Sequence, residues 1–172
     1  MKYLLIAAII IFVTHTVKAQ YRGEPDNKKF FISLGGEIGA PSNTPFSISY
    51  GGSFQAEAKF TDRFAFTLAG EYTGYKYKGA FGVSSNIEQH PSLTPLKAGL
   101  RYYTTPGFFF SGEMGTSLQN NDINAMLVYS LGFGFEIPVN KLSDVEIGFS
   151  YQNYAQSQYQ TTGLRAAYRL GW

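Results

Sequence analysis

The sequence predicts an all-β fold: an eight-stranded antiparallel up-and-down transmembrane β-barrel with a polar, side-chain-filled interior. Three observations predict it. Beyond the first twenty or so residues, polar and apolar side chains alternate with a period of two over segments of about ten residues, where a helix would repeat every 3.6. One parity of these segments collects the charges while the other is oily. The 172 residues are 44% hydrophobic and 17% aromatic but only 15% charged, well below the roughly 25% of soluble domains.

The chain opens on a targeting segment. Lys2 supplies a positive start, Leu4 to Val13 is an unbroken apolar run, and Val17-Lys18-Ala19 places small residues before Gln20. This pattern predicts a secretory signal peptide over residues 1–19, cut after Ala19. The run is too short for a membrane helix, which needs about 20 residues. Residues 20–172 are the barrel domain. Lys2, His15 and Lys18 leave with the leader, so the 12 acidic residues are then matched by as many basic ones. That balance gives no electrostatic case for nucleic acid. The absence of cysteine excludes disulfides, thiol catalysis and Cys-ligated metals. No metal or cofactor is expected.

Eight strands are expected at about 29–39, 47–60, 63–75, 94–104, 107–118, 125–137, 144–154 and 161–172. The first carries Glu37. The second sets Ile48, Tyr50, Phe54, Ala56, Ala58 and Phe60 against Ser49, Ser53, Gln55, Glu57 and Lys59. The third sets Phe64, Phe66, Leu68 and Tyr72 against Thr67, Glu71 and Thr73. The fourth and fifth bring Lys97, Arg101 and Glu113, with Gly99 and Gly115 among them. The sixth alternates most fully: Leu127, Tyr129, Leu131, Phe133, Phe135 and Ile137 against Met126, Val128, Ser130, Gly132, Gly134 and Glu136. The seventh sets Val145, Ile147, Phe149 and Tyr151 against Glu146, Ser150 and Gln152. The eighth sets Leu164, Ala166, Tyr168, Leu170 and Trp172 against Arg165 and Arg169.

Short turns are expected at Thr61-Asp62-Arg63, Thr104 to Gly107 and Pro138 to Ser143. They alternate with looser connections, of which 76–93 is the longest. Tight turns at one end, longer loops at the other and an even strand count are the organisation of outer-membrane barrels. Both termini then lie on the periplasmic side.

Alternation alone fits a soluble calyx as well, so the charged face decides the orientation. It collects Glu37, Glu57, Glu71, Glu113, Glu136 and Glu146 together with Lys59, Arg63, Lys97, Arg101, Arg165 and Arg169. An eight-stranded lumen is only wide enough for side chains to fill. These twelve groups are expected to fill it as a neutral ion-pair network, with glycines such as Gly132 and Gly148 leaving room. Pointing a Lys or Arg into lipid would cost about 2–4 kcal/mol each. Aromatic residues also group by height, Phe30, Phe60, Phe64, Tyr102, Phe108, Phe135 and Trp172 near one rim and Tyr50, Tyr72 and Tyr151 near the other, as interfacial belts do. A soluble periplasmic lipocalin-like ligand-binding barrel is the alternative architecture, with the two faces exchanged.

The whole of residues 20–172 resembles the bacterial outer-membrane β-barrel families of the small eight-stranded OmpA/OmpX type. The last strand adds to the likeness. Those families end in an assembly signal of a polar residue, a glycine two further on, then alternating apolar residues finishing in an aromatic. Arg165, Tyr168, Leu170 and Trp172 fit it, while Ala167 stands where glycine is usual. The resemblance implies insertion into the cell outer membrane as a monomer, contact with its lipid and lipopolysaccharide, and recognition by the barrel-assembly machinery during biogenesis.

No P-loop, HExxH or nucleophile-elbow motif is present. His90 is the one histidine left after the leader, and Ser84, Ser85, Glu88 and Ser92 lie near it in the long loop. These are also ordinary residues of a polar loop, and no catalytic activity is expected; a lipid- or lipopolysaccharide-modifying outer-membrane enzyme is the alternative function. Open pores need about 16–18 strands, so no open pore is expected. What remains is a structural or surface-interaction barrel. Its 76–93 loop, with Tyr75, Tyr77, Phe81 and the lysines Lys76 and Lys78, is the candidate surface for an extracellular partner.

Overall fold

A computed structural model describes residues 28–42, 45–78, 91–105, 107–119, 122–155 and 159–172. The expected leader, with His15, and the loop residues Phe81, Ser84, Ser85, Glu88 and His90 lie outside the described residues. Eight strands follow one another: β1 (Phe30–Pro41), β2 (Phe46–Lys59), β3 (Phe64–Tyr77), β4 (Ser92–Thr105), β5 (Phe108–Gln119), β6 (Asp122–Pro138), β7 (Ser143–Tyr154) and β8 (Gln160–Gly171). Each pairs antiparallel with its sequence neighbours, and β8 returns to β1, closing the barrel. The shortest strands have 12 residues. At about 3.3 Å per residue and a tilt near 40°, they reach about 30 Å along the axis, the depth of a bilayer's hydrocarbon.

The strand ends differ from the sequence expectation by one to three residues, the largest shift being the start of β6 at Asp122, and the long connection shortens by two residues at each side. There β3 runs on to Tyr77 and β4 starts at Ser92. Cross-strand pairs Thr73↔Leu93, Gly74↔Ser92 and Phe46↔Tyr77 carry the ladder past the point where alternation fades. Pro95 sits inside β4 because the β3–β4 ladder skips it, passing from Gly70↔Leu96 to Thr73↔Leu93. With no N–H to donate, proline is tolerated only where the ladder is interrupted.

The turns at the end shared with the termini are set by side chains. Thr61 Oγ1 accepts from the backbone N–H of Phe64 at 2.9 Å, and Asn140 Oδ1 accepts from those of Leu142 and Ser143 at 2.9 and 3.0 Å, side-chain mimics of a backbone turn. Gly107 turns the chain into β5 with a φ of 85°, a conformation that costs glycine little.

The faces are inverted relative to a soluble protein. Phe133 is 44% and Leu131 63% exposed, whereas Arg169 is 1% and Glu146 2% exposed. The lipocalin-like alternative needs the reverse, and the structure overturns it. Every strand shows large apolar side chains on its outer face, from Leu34 and Phe54 to Leu164 and Leu170.

Candidate functional site

The barrel interior is built from the inward parity of all eight strands. At the end near the turns, Arg101 of β4 is the hub. Its NH1 lies 3.0 Å from Glu57 Oε2, 3.2 Å from Glu136 Oε1 and 2.7 Å from Glu146 Oε2. Arg169 of β8 meets Glu57 at 2.8 Å, and Glu136 and Asp144 at 3.1 Å each. The Tyr103 hydroxyl sits 2.7 Å from Glu57 Oε1 and 2.8 Å from Glu136 Oε1 and accepts from Arg169 NH2 at 3.1 Å. Each guanidinium also covers a ring, Arg101 at 3.9 Å from the centre of Phe109 and Arg169 at 3.5 Å from that of Phe31. Gly134 makes room for this: a Cβ there would fall 2.6 Å from the edge of the Phe109 ring and 2.6 Å from the Ile147 carbonyl oxygen.

A second tier sits nearer the loops. Lys97 Nζ lies 2.6 Å from Glu71 and 3.3 Å from Glu113, and donates to Gln152 Oε1 at 3.1 Å. Arg165 pairs with Glu146, lies 3.6 Å from Glu37, and donates to the hydroxyl oxygens of Ser53 and Ser33 at 2.8 and 2.9 Å. Gln55 links the tiers, its Nε2 donating to Glu113 Oε1 at 3.1 Å and its Oε1 accepting from Arg101 NH2 at 3.2 Å.

Ten of the twelve groups singled out in the sequence meet in these pairs. Lys59 stands at the inner mouth, its ammonium 4.7 Å from the Phe31 ring centre and 4.6 Å from that of Tyr103. Arg63 does not enter: it is exposed in the β2–β3 turn, past the last inward position of β2. Asp144 takes a place in the network that the sequence reading did not give it. The expected equality of acids and bases therefore shifts. Among the described residues, seven lumen carboxylates face Lys59, Lys97, Arg101, Arg165 and Arg169. Gln55 and Gln152, which the sequence reading sets on the charged face without counting them in the network, join it, and so does Tyr103, which it does not single out; the inward parity shared with the charges is the signal.

Buried apolar clusters lie toward both ends of this charged column. Toward the loops, Phe46, Tyr75, Leu93, Val128 and Tyr154 form one buried cluster, with Met126 and Tyr159 against it. Phe46 stacks on Tyr159 at 5.2 Å, and the Tyr75 and Thr161 hydroxyls are 3.2 Å apart. Toward the turns, Ala65, Tyr103 and Phe109 form a smaller buried cluster along the wall of β3 to β5. Two small cavities lie within the barrel interior. One of about 50 Å³ lies among Glu71, Lys97, Glu113 and Arg165, and one of about 20 Å³ lies under Tyr75 and Thr161. Those volumes hold one to a few water molecules.

Solved structures share this closed architecture. Neisserial surface protein A matches with a TM-score of 0.64 and 14% identity, over 83% of this chain and 97% of that one. Ail, the attachment invasion locus protein of Yersinia pestis, matches with a TM-score of 0.56 and 12% identity, over 83% and 99%. Its backbone structure in a phospholipid bilayer nanodisc gives 0.58 and 13%, over 84% and 100%. The chain has the fold of these outer-membrane proteins, a closed eight-stranded transmembrane β-barrel. At these identities the likeness is one of fold. No family model matches the chain, and no curated protein matches its sequence.

The transmembrane barrel displays the rest of the singled-out residues at its edges. Tyr168, Leu170 and Trp172 line the outer face of β8, with Arg165 turned inward among the ion pairs. Around the turn end, Phe60, Phe64, Phe66 and Tyr102 form a chain of ring contacts of 4.6 to 6.1 Å. Phe108 touches Phe110 and Phe135 at 5.1 and 4.8 Å. Tyr50, Tyr72 and Tyr151 are exposed toward the other end. Lys76, Tyr77 and Lys78 are exposed where β3 ends.

Proposed function

We propose that the protein is a sealed outer-membrane barrel of structural or surface-interaction type, exported by a cleaved leader and inserted as a monomer, with its loop end facing outward. The observation that carries this reading is the filled lumen. Interlocked ion pairs occupy its middle, buried apolar clusters lie toward both ends, and the interior spaces beside Lys97 and beneath Tyr75 measure about 50 and 20 Å³. Such an interior passes no solute and seats no substrate, so work of this barrel falls to its outer wall and its loop end. The outward aromatic residues of β8, ending in Trp172, support handling by the barrel-assembly machinery. The 76–93 segment, with Tyr77, Lys76 and Lys78 at its base, is the proposed contact for an extracellular partner.

The test is reconstitution of the full chain in planar bilayers, with outer-membrane fractionation in parallel. The protein is expected to fractionate with the outer membrane, to migrate faster on gels before heating than after, and to give no stepwise ion current. Steady open-channel steps from the folded protein would overturn the sealed-barrel reading, and recovery in the soluble periplasmic fraction would overturn the location.

A further inference from the structure

The outer wall is not uniform. On β5 to β7 the turn-end half is a ridge of rings, with Phe108, Phe110, Phe133, Phe135 and Phe149 in successive contact. On β1 to β3 the same height holds a groove of about 300 Å³. Its floor is Ala56 and Ala58 of β2. Its walls are Phe30 and Trp172 on one side and Phe66 and Leu68 on the other. The register makes this shape: Ala58 lies between Phe30 and Phe66, and Ala56 between Ile32 and Leu68. Trp172 is locked beside Phe30 by two backbone hydrogen bonds, at 3.0 and 3.2 Å.

Two exposed cations flank the turn end of β2, the strand that floors this groove, one directly before β1 and the other directly before β3. Lys29 is exposed, and its carbonyl oxygen accepts from the backbone N–H of Lys59 at 2.7 Å, which fixes it beside the end of β2. Arg63 is exposed on the opposite side of β2, in the turn leading to β3, next to the exposed Asp62. The arrangement is therefore an apolar slot continuous with the lipid-facing wall, an interfacial tryptophan at its edge, and positive charge just beyond.

We propose that this groove seats one acyl chain of an anionic phospholipid from the leaflet at the turn end, with the phosphate held between Lys29 and Arg63. The proposal rests on the membrane-barrel reading above. At the depth of the groove the surrounding medium is hydrocarbon, so the filler is a lipid chain. An empty slot forfeits the dispersion contacts that a chain restores. The aromatic walls set the depth, since tryptophan prefers the membrane–water interface. Basic residues at that level favour an anionic headgroup over a zwitterionic one. Arg63, which the alternation had assigned to the lumen, has here a use for its exposed guanidinium.

The test uses the full chain in phosphatidylcholine nanodiscs containing a minority of phosphatidylglycerol, released into detergent for native mass spectrometry. The wild type is expected to retain one phosphatidylglycerol. Ala58→Phe fills the slot and should lose it. Lys29→Gln and Arg63→Gln should each weaken retention about fivefold. Ala98→Phe, on the lipid-facing side of β4, should retain the lipid as the wild type does. Each variant is first checked for heat-modifiable migration, so a barrel that fails to form is distinguished from a groove that fails to bind. Equal retention by wild type and Ala58→Phe, equal retention of phosphatidylcholine and phosphatidylglycerol, or displacement of the phospholipid by equimolar lipopolysaccharide would each overturn the assignment.

Discussion

Replacing Arg101 with methionine tests the interior where most of its charge converges. The change removes a guanidinium lying 3.0 Å from Glu57, 3.2 Å from Glu136 and 2.7 Å from Glu146. Arg169 still meets the first two carboxylates and Arg165 the third. The loss is therefore that of one partner from a buried network, about 3–5 kcal/mol. Arg101→Lys keeps the charge but loses the fork that reaches several carboxylates at once, and should cost less. Adding Glu146→Gln to Arg101→Met removes the carboxylate nearest the lost cation and should recover about 1 kcal/mol or more. The measurement is urea unfolding of the barrel from phospholipid vesicles. It can be followed by the fluorescence of Trp172, the chain's sole tryptophan. A cost below about 1 kcal/mol for Arg101→Met, with no coupling to Glu146, would refute the reasoning: pairs exposed to water behave that way.

Leu131→Arg places a cation near the middle of β6 on the lipid side and should cost about 2–4 kcal/mol with a lower folding yield; Ser130→Thr, one residue along on the enclosed side, should cost under about 1.5 kcal/mol. Equal costs in the same unfolding assay would contradict the face assignment. Tyr75→Ala opens the loop-end cluster and should destabilise by about 3–5 kcal/mol, as loss of a buried ring does, yet planar bilayers should still show no current because the charged tiers remain beneath it. Gly107→Ala forces a side chain into a left-handed turn position, and equilibrium unfolding should register a loss of about 1–3 kcal/mol.

Much of this molecule is legible residue by residue because a strand has only two faces. In β6, reading every second residue from Leu127 to Ile137 gives the lipid side, and the structure keeps all six outward. The failures come where parity stops being informative. Arg63 shares the parity of Lys59, but β2 ends at Lys59 and the turn that follows carries Arg63 into the open. Asp144 opens the expected seventh strand with the parity of Glu146, so its inward place was legible; its partner Arg169 comes only from the pairing of β7 with β8. Gln55 and Tyr103 carry no formal charge and so do not stand out in a count of charges, yet they tie the acids together.

The period-two pattern, read together with the gathering of charge on one of its faces, was enough to predict a barrel with an oily outside and a charged inside. That outcome depends on local alternation and on the cost of exposing charge to hydrocarbon. Which acid would meet which base was decided only in three dimensions. Arg101 and Glu146 are 45 residues apart, and Arg169 and Glu57 are 112 apart; ring closure and the stagger between strands bring them to one height. The same geometry sets Ala58 between Phe30 and Phe66, so the groove in the outer wall, like the pairing inside it, belongs to the register between strands rather than to any one of them.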